Sequence, residues 1–202
     1  MLKHITYKTQ KMNDNIQNDI EKLLRETGRE GINSVIDYLR NGAFYSAPAS
    51  VAFHNNFKGG LAKHSFDVYV KAIELYNELK SNGVKLTFDK NSVILCSLLH
   101  DVCKMDEYTI NMLGQARHTK SYYENKKNNN LLRHGTKSID ILLNCGLKLT
   151  EEEINAIHWH MGGWAKDAQE EYGYSYFVAS VQSILVNLIH NADSKAAMER
   201  KN

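Results

Sequence analysis

A single proline in 202 residues leaves the chain almost without its strongest helix breaker. Alternating apolar–polar runs of strand type are also few, so the expectation is a mostly helical fold. Cysteine is nearly as scarce. The three present, Cys96, Cys103 and Cys145, form no C-x-x-C pair, which argues against a zinc ribbon or disulfide frame and for reduced thiols. No apolar run approaches the ~20 residues of a membrane span. The opening residues Met1–Lys8 carry no apolar signal core, so the chain is expected to be cytoplasmic with no membrane partner. A formal net charge of +2 does not by itself mark a nucleic-acid or membrane surface.

What the chain does have is enough apolar residue, 43%, to fill one sizeable core. Ile16, Ile20, Leu23 and Leu24 recur at helical spacing, and Thr27-Gly28 ends that helix. Ile32, Val35, Ile36 and Leu39 make the apolar face of a second helix, stopped by Asn41-Gly42. Residues 1–45 thus read as an N-terminal helical extension on a main domain spanning 46–202, and their apolar faces suit a cover for the core or a homodimer contact. Leu61 opens a long amphipathic helix to about Lys80, with His64 in its first turn.

The densest stretch is Ser92–Met105. Val93, Ile94, Leu95, Cys96, Leu98 and Leu99 form an apolar run that predicts a central helix buried on all sides. His100, Asp101 and Lys104 follow in the same surroundings. Burying an imidazole, a carboxylate and an ammonium together is costly unless something compensates. Either a cation sits between them, or the histidine and aspartate hydrogen-bond to backbone at a helix end. Downstream, Tyr108-Thr109-Ile110 and Ser121-Tyr122-Tyr123 suit a short β-hairpin, and Lys126–Asn130 reads as a solvated loop. The helix after His134 is expected to bury Ser138, Ile139, Ile141, Leu142 and Leu143. Thr150 and Glu153 spell a capping box at the next helix start, which carries His158 and His160. The last long helix, Val178–Met198, is expected to turn Val181, Ile184, Leu185, Leu188 and Ile189 to the core, with Asp193 just past that face.

In order along the chain, Gly59-Gly60-Leu61-x-x-His64, Leu98-Leu99-His100-Asp101-x-x-Lys104, Arg133-His134-Gly135, Trp159-His160-Met161-Gly162 and His190-Asn191-Ala192-Asp193 resemble the motifs of the HD-domain metal-dependent phosphohydrolases. The likeness runs from about Pro48 to Asp193. It is nearest to the HD domains of bacterial 3′–5′ exoribonuclease-like proteins, which share the Phe53-His54 and Gly-Gly-Leu-x-x-His lead-in. Two positions depart from the pattern: Cys103 stands where glycine is frequent, and Met161 where a second histidine is frequent. The resemblance implies an all-α helical bundle in which His64, His100, Asp101 and Asp193 ligate a divalent ion, with His134 and His160 available to a second. His158, two residues from His160 and on another helix face, reads as a packing residue.

Imidazole and carboxylate together suit Mn²⁺, Fe²⁺, Ni²⁺, Mg²⁺ or Zn²⁺. Such an ion lowers the pKa of its water from ~16 towards ~7 and so supplies a nucleophile at neutral pH. The function implied is hydrolysis of a phosphomonoester or phosphodiester of a nucleotide or a short single-stranded oligonucleotide. Asp101 would orient the attacking water, and Lys104 would counter phosphoryl charge. His54, Arg117, His118 and Lys120 are candidates for substrate contact, with His54 or His118 also a candidate leaving-group acid. Two alternatives use the same fold: a nucleotide-binding regulatory domain with little turnover, and a di-iron oxygenase.

Overall fold

The central apolar run does become the inner helix of the molecule. In the computed structural model, which describes residues 15–51, 53–111, 123–126, 134–162 and 176–198, Asp89 caps this helix by accepting a hydrogen bond from the Ser92 amide at 3.0 Å. Every residue from Ser92 to Leu99 is buried. In chain order the helices are α1 (residues 15–26), α2 (Ile32–Asn41), α3 (Gly60–Ser81), α4 (Lys90–Leu99), α5 (His134–Asn144), α6 (Glu151–His158), α7 (Tyr176–Gln182) and α8 (Ile184–Met198). A 3₁₀ turn, Val102–Asp106, and two short strands, β1 (Tyr108–Ile110) and β2 (Tyr123–Asn125), lie between α4 and α5. The fold is all-α with one small antiparallel hairpin, as expected.

The long helix α3 packs along both α4 and α8, and α6 packs on α5 and α8. Ile20, Leu24, Val35 and Leu39 of α1 and α2 share one continuous core with Leu95, Leu99, Ile157 and Ile189. Two ion pairs hold those N-terminal helices. Arg40 of α2 grips Glu21 of α1, with Nε donating to Oε1 at 2.8 Å. Arg29 grips Glu153 of α6 through both carboxylate oxygens, at 2.8 and 2.6 Å. Glu153 also completes the predicted capping box with Thr150.

Some element bounds and burials differ from expectation. The central helix α4 ends at Leu99, and the backbone tightens into the 3₁₀ turn through Asp101. The hairpin pairs Ile110 with Tyr123 and Tyr108 with Asn125; Ser121 and Tyr122, also expected in its second strand, lie outside the described residues. The last helix is broken at Ser183. There the Ser183 hydroxyl accepts from the Val186 amide at 3.3 Å and donates to Glu152 at 2.8 Å, capping α8 as a separate helix. Val181 is 71% exposed and Ile184 37%, where buried residues were expected. Leu143 is likewise 48% exposed, since α5 turns only Gly135, Ser138, Ile139 and Leu142 fully inward.

Candidate metal centre

Two glycine positions explain how helices of unrelated sequence bring their polar groups together. At the start of α3, Gly59 adopts φ 83°, and a Cβ on Gly60 would stand 1.9 Å from the Asn55 carbonyl oxygen. Only glycine lets the loop carrying His54 fold back against the helix that carries His64. The two imidazole centroids are 4.6 Å apart. At the start of α5, a Cβ on Gly135 would stand 2.5 Å from the His158 carbonyl oxygen. That close approach seats His134 beside the end of α6, and His134 and His160 have centroids 5.5 Å apart.

Around these contacts six side chains converge: His64 from α3, His100 and Asp101 from the end of α4, His134 from α5, His160 from the turn after α6, and Asp193 from α8. Asp101 is the hub. Its Oδ1 lies 2.5 Å from His134 Nε2 and 3.3 Å from His160 Nε2. Its Oδ2 lies 3.3 Å from His100 Nε2, 3.6 Å from His64 Nε2 and 2.5 Å from Lys104 Nζ. Asp193 Oδ1 stands 3.1 Å from His64 Nε2 and 3.9 Å from His100 Nε2. Asp193, expected just past the apolar face of the last helix and as a ligand, is buried and turned into the cluster.

The Nε2 atoms of His64, His100 and His160 are all buried and have no hydrogen-bond partner. A buried polar atom without a partner costs on the order of 1–3 kcal/mol, and three of them pointed at two carboxylates form a donor set suited to a divalent cation. His64, His100 and Asp101 offer ligand atoms within 4.8 Å of one another, as do His100, His160 and Asp193, and Asp101, His134 and His160. His100 and His160 are held by their far nitrogens, His100 Nδ1 at 2.9 Å from the Ser97 carbonyl and His160 Nδ1 at 2.7 Å from that of Ile157. This fixes Nε2 as the free lone pair. The buried His/Asp cluster can therefore hold a divalent metal.

Charge within the cluster follows from mutual proximity. Burial raises the Asp101 carboxyl, but Lys104, His100 and His134 outweigh it and hold the group well below the usual carboxylate range. Asp193 is lowered in the same way, burial being outweighed by His64 at 3.1 Å and by His100. Burial pushes His100 and His134 down, yet Asp101 beside each raises both on balance. Lys104 stays firmly cationic, since Asp101 overcomes the cost of its burial. His54 goes the other way: burial, then His64 and Lys104, bring it down to about 4. It is thus uncharged at neutral pH.

A cavity of about 400 Å³ opens beside the cluster, lined by His54, Lys104, Met161, Asp193, Ala197 and Met198 among others. Arg117, His118 and Lys120, expected to contact substrate, lie outside the described residues. His158 stands apart from the cluster, its Nδ1 3.2 Å from the Thr136 hydroxyl. Sequence reasoning missed Glu107, whose carboxylate lies 3.7 Å from His134 Nδ1. One acidic residue at the head of a polar loop gives no pattern by which to single it out.

The model of the HD-domain family matches residues 61–198, which include all six of the converging residues. No curated protein and no solved structure matches the chain.

Proposed function

The chain belongs to the HD-domain family, and from that premise we propose that it is a metal-dependent phosphohydrolase acting on a phosphoester of a nucleotide or short oligonucleotide. The observation that carries the reading is the set of three buried, partnerless Nε2 atoms of His64, His100 and His160 aimed at Asp101 and Asp193. His64, His100, Asp101 and Asp193 would hold one divalent ion, and His134 and His160, sharing Asp101, a second. When bound, such an ion supplies Lewis acidity, lowering the pKa of water and offsetting phosphoryl charge.

The chain's own residues supply the rest. Asp101 accepts hydrogen bonds on both oxygens and can orient an attacking water towards phosphorus. Lys104 reaches Asp101 while also lining the cavity, so its ammonium can stabilise charge that grows on the phosphoryl oxygens. His54, neutral and with a buried partnerless Nε2, can hydrogen-bond the substrate. Met161, Ala197 and Met198 offer an apolar wall for the non-phosphate part, in a cavity of the size that small-molecule sites have. The Phe53-His54 and Gly-Gly-Leu-x-x-His lead-in supports the narrower likeness to exoribonuclease HD domains.

The test is elemental analysis of freshly purified protein beside phosphate release from mononucleotides, cyclic dinucleotides and short RNAs. Divalent metal with metal-dependent release from at least one class is expected. Metal-replete protein that releases phosphate from none of them would point instead to a regulatory domain.

A further inference from the structure

The three imidazoles that face Asp101 most closely are not supported alike. His100 and His160 each direct Nδ1 at a main-chain carbonyl three residues earlier. Among the described residues no main-chain carbonyl faces His134 in this way. Its Nδ1 faces the Cys103 thiol at 3.5 Å and the Glu107 carboxylate at 3.7 Å. Glu107 in turn meets Lys137, one turn along α5 from His134, at 3.9 Å.

This support is built on fixed backbone. The Cys103 amide donates to the Ser138 hydroxyl at 3.3 Å, docking the 3₁₀ turn on α5. The Glu107 carbonyl accepts from the Lys126 amide at 2.8 Å, where the hairpin continues its ladder. Glu107 is thus pinned between the hairpin and α5, with its side chain turned back onto His134. A neutral imidazole carries one N–H. Without a cation, Asp101 at 2.5 Å can take that hydrogen on Nε2; with a cation beside Nε2, the Glu107 carboxylate would hold the hydrogen on Nδ1, leave the lone pair on Nε2 and make that nitrogen a stronger donor.

We propose that Glu107 is the positioning residue of His134: it fixes the ring with Nε2 directed at the Asp101 cluster, and so sets the affinity of the cation position that His134 completes. Cys103 lies against the same nitrogen without itself binding metal. The inference rests on the reading above that the cluster takes divalent ions. Loss of an outer partner of this kind typically weakens metal binding by ~10–100-fold.

The probe is Co²⁺, titrated into metal-depleted full-length protein and followed by calorimetry and by visible ligand-field absorption. His134→Ala identifies the ion position that depends on this ring. Glu107→Gln is expected to weaken that same position by ~10–100-fold and shift its ligand-field band, leaving any other ion unchanged. Glu107→Asp should recover part of the loss, which distinguishes positioning from a fold defect and keeps the test sound if the glutamine variant folds poorly. If His134→Ala loses an ion while Glu107→Gln superimposes on wild type, Glu107 has no such role and the metal reading survives. If His134→Ala itself superimposes on wild type, the ring holds no ion, and the assignment of a second ion falls together with the Glu107 proposal. A near-ultraviolet sulfur-to-cobalt band that Cys103→Ser abolishes would also overturn it, because the thiol would then be a ligand.

Discussion

Asp101 is the residue on which most of the chemistry turns, because it touches four imidazoles and one ammonium. Replacing it with asparagine keeps its shape but removes the charge that offsets Lys104 and any bound cation. Asp101→Asn is therefore expected to lower metal content and phosphoesterase activity by more than the ~10–100-fold that an outer partner costs, with far-UV circular dichroism unchanged. Wild-type turnover in that variant would refute the assignment. Lys104→Met tests a separate point. An ammonium acting on transition-state charge should cost ~10²–10³ in kcat when removed, with metal content largely retained; an unchanged kcat would leave Lys104 a structural counter-ion only. The His-Asp doublet was legible beforehand because a charged pair directly after an apolar run has few cheap explanations. Glu107 was not legible, since nothing in a linear string says that a loop carboxylate folds back on His134.

At the scale of helices, the chain was readable wherever local chemistry decides the outcome. The Thr150–Glu153 capping box and the burial of α4 from Ser92 to Leu99 both follow from short-range pattern. The break at Ser183 did not, because it depends on Glu152 of another helix accepting the serine hydroxyl. The ion pairs between helices were equally hidden, and they lead to an expectation about acid. Burial raises the Glu153 carboxyl, but its bonds to Arg29 and the Thr150 amide outweigh that and leave its pKa lowered. Glu21 is lowered by its bond to Arg40 against a smaller effect of burial. A carboxyl that binds its proton less tightly in the folded chain than in the unfolded one makes acid favour unfolding. The stabilisation is therefore complete above the unfolded glutamate pKa of ~4.3 and is lost as pH falls through the lower folded values. Thermal melts across that range should show Tm falling with acidification, and less steeply in Glu153→Gln. Arg29→Met leaves the Glu153 carboxylate buried without its partner and should cost up to ~3–5 kcal/mol by denaturant titration; a cost near zero would show that solvent already screens the pair, as the partial exposure of Arg29 allows.

On the scale of the whole molecule, the centre is a point where five separate segments meet: α3, the end of α4, α5, the turn after α6, and α8. No pattern of spacing shows that such distant segments converge; the family likeness suggested it, and the packing of α3 along α4 and α8 supplies the physical means. A cation bound at the junction interacts with the folded arrangement and finds no comparable site in the unfolded chain. It should therefore stabilise all five segments at once. An ion present at a hundred times its Kd adds ~2.7 kcal/mol, and for a chain of this size each kcal/mol raises Tm by roughly 2–4 °C. Chelator-treated protein should thus gain roughly 5–10 °C on adding saturating Mn²⁺, read by differential scanning fluorimetry. Asp101→Asn and His64→Ala should abolish the gain. Glu153→Gln, remote from the cluster, should lower Tm with and without metal by the same amount, since independent sites contribute additively. An equal gain in wild type and Asp101→Asn would mean that Mn²⁺ binds elsewhere on the surface, and the convergence of these helices would then need another explanation.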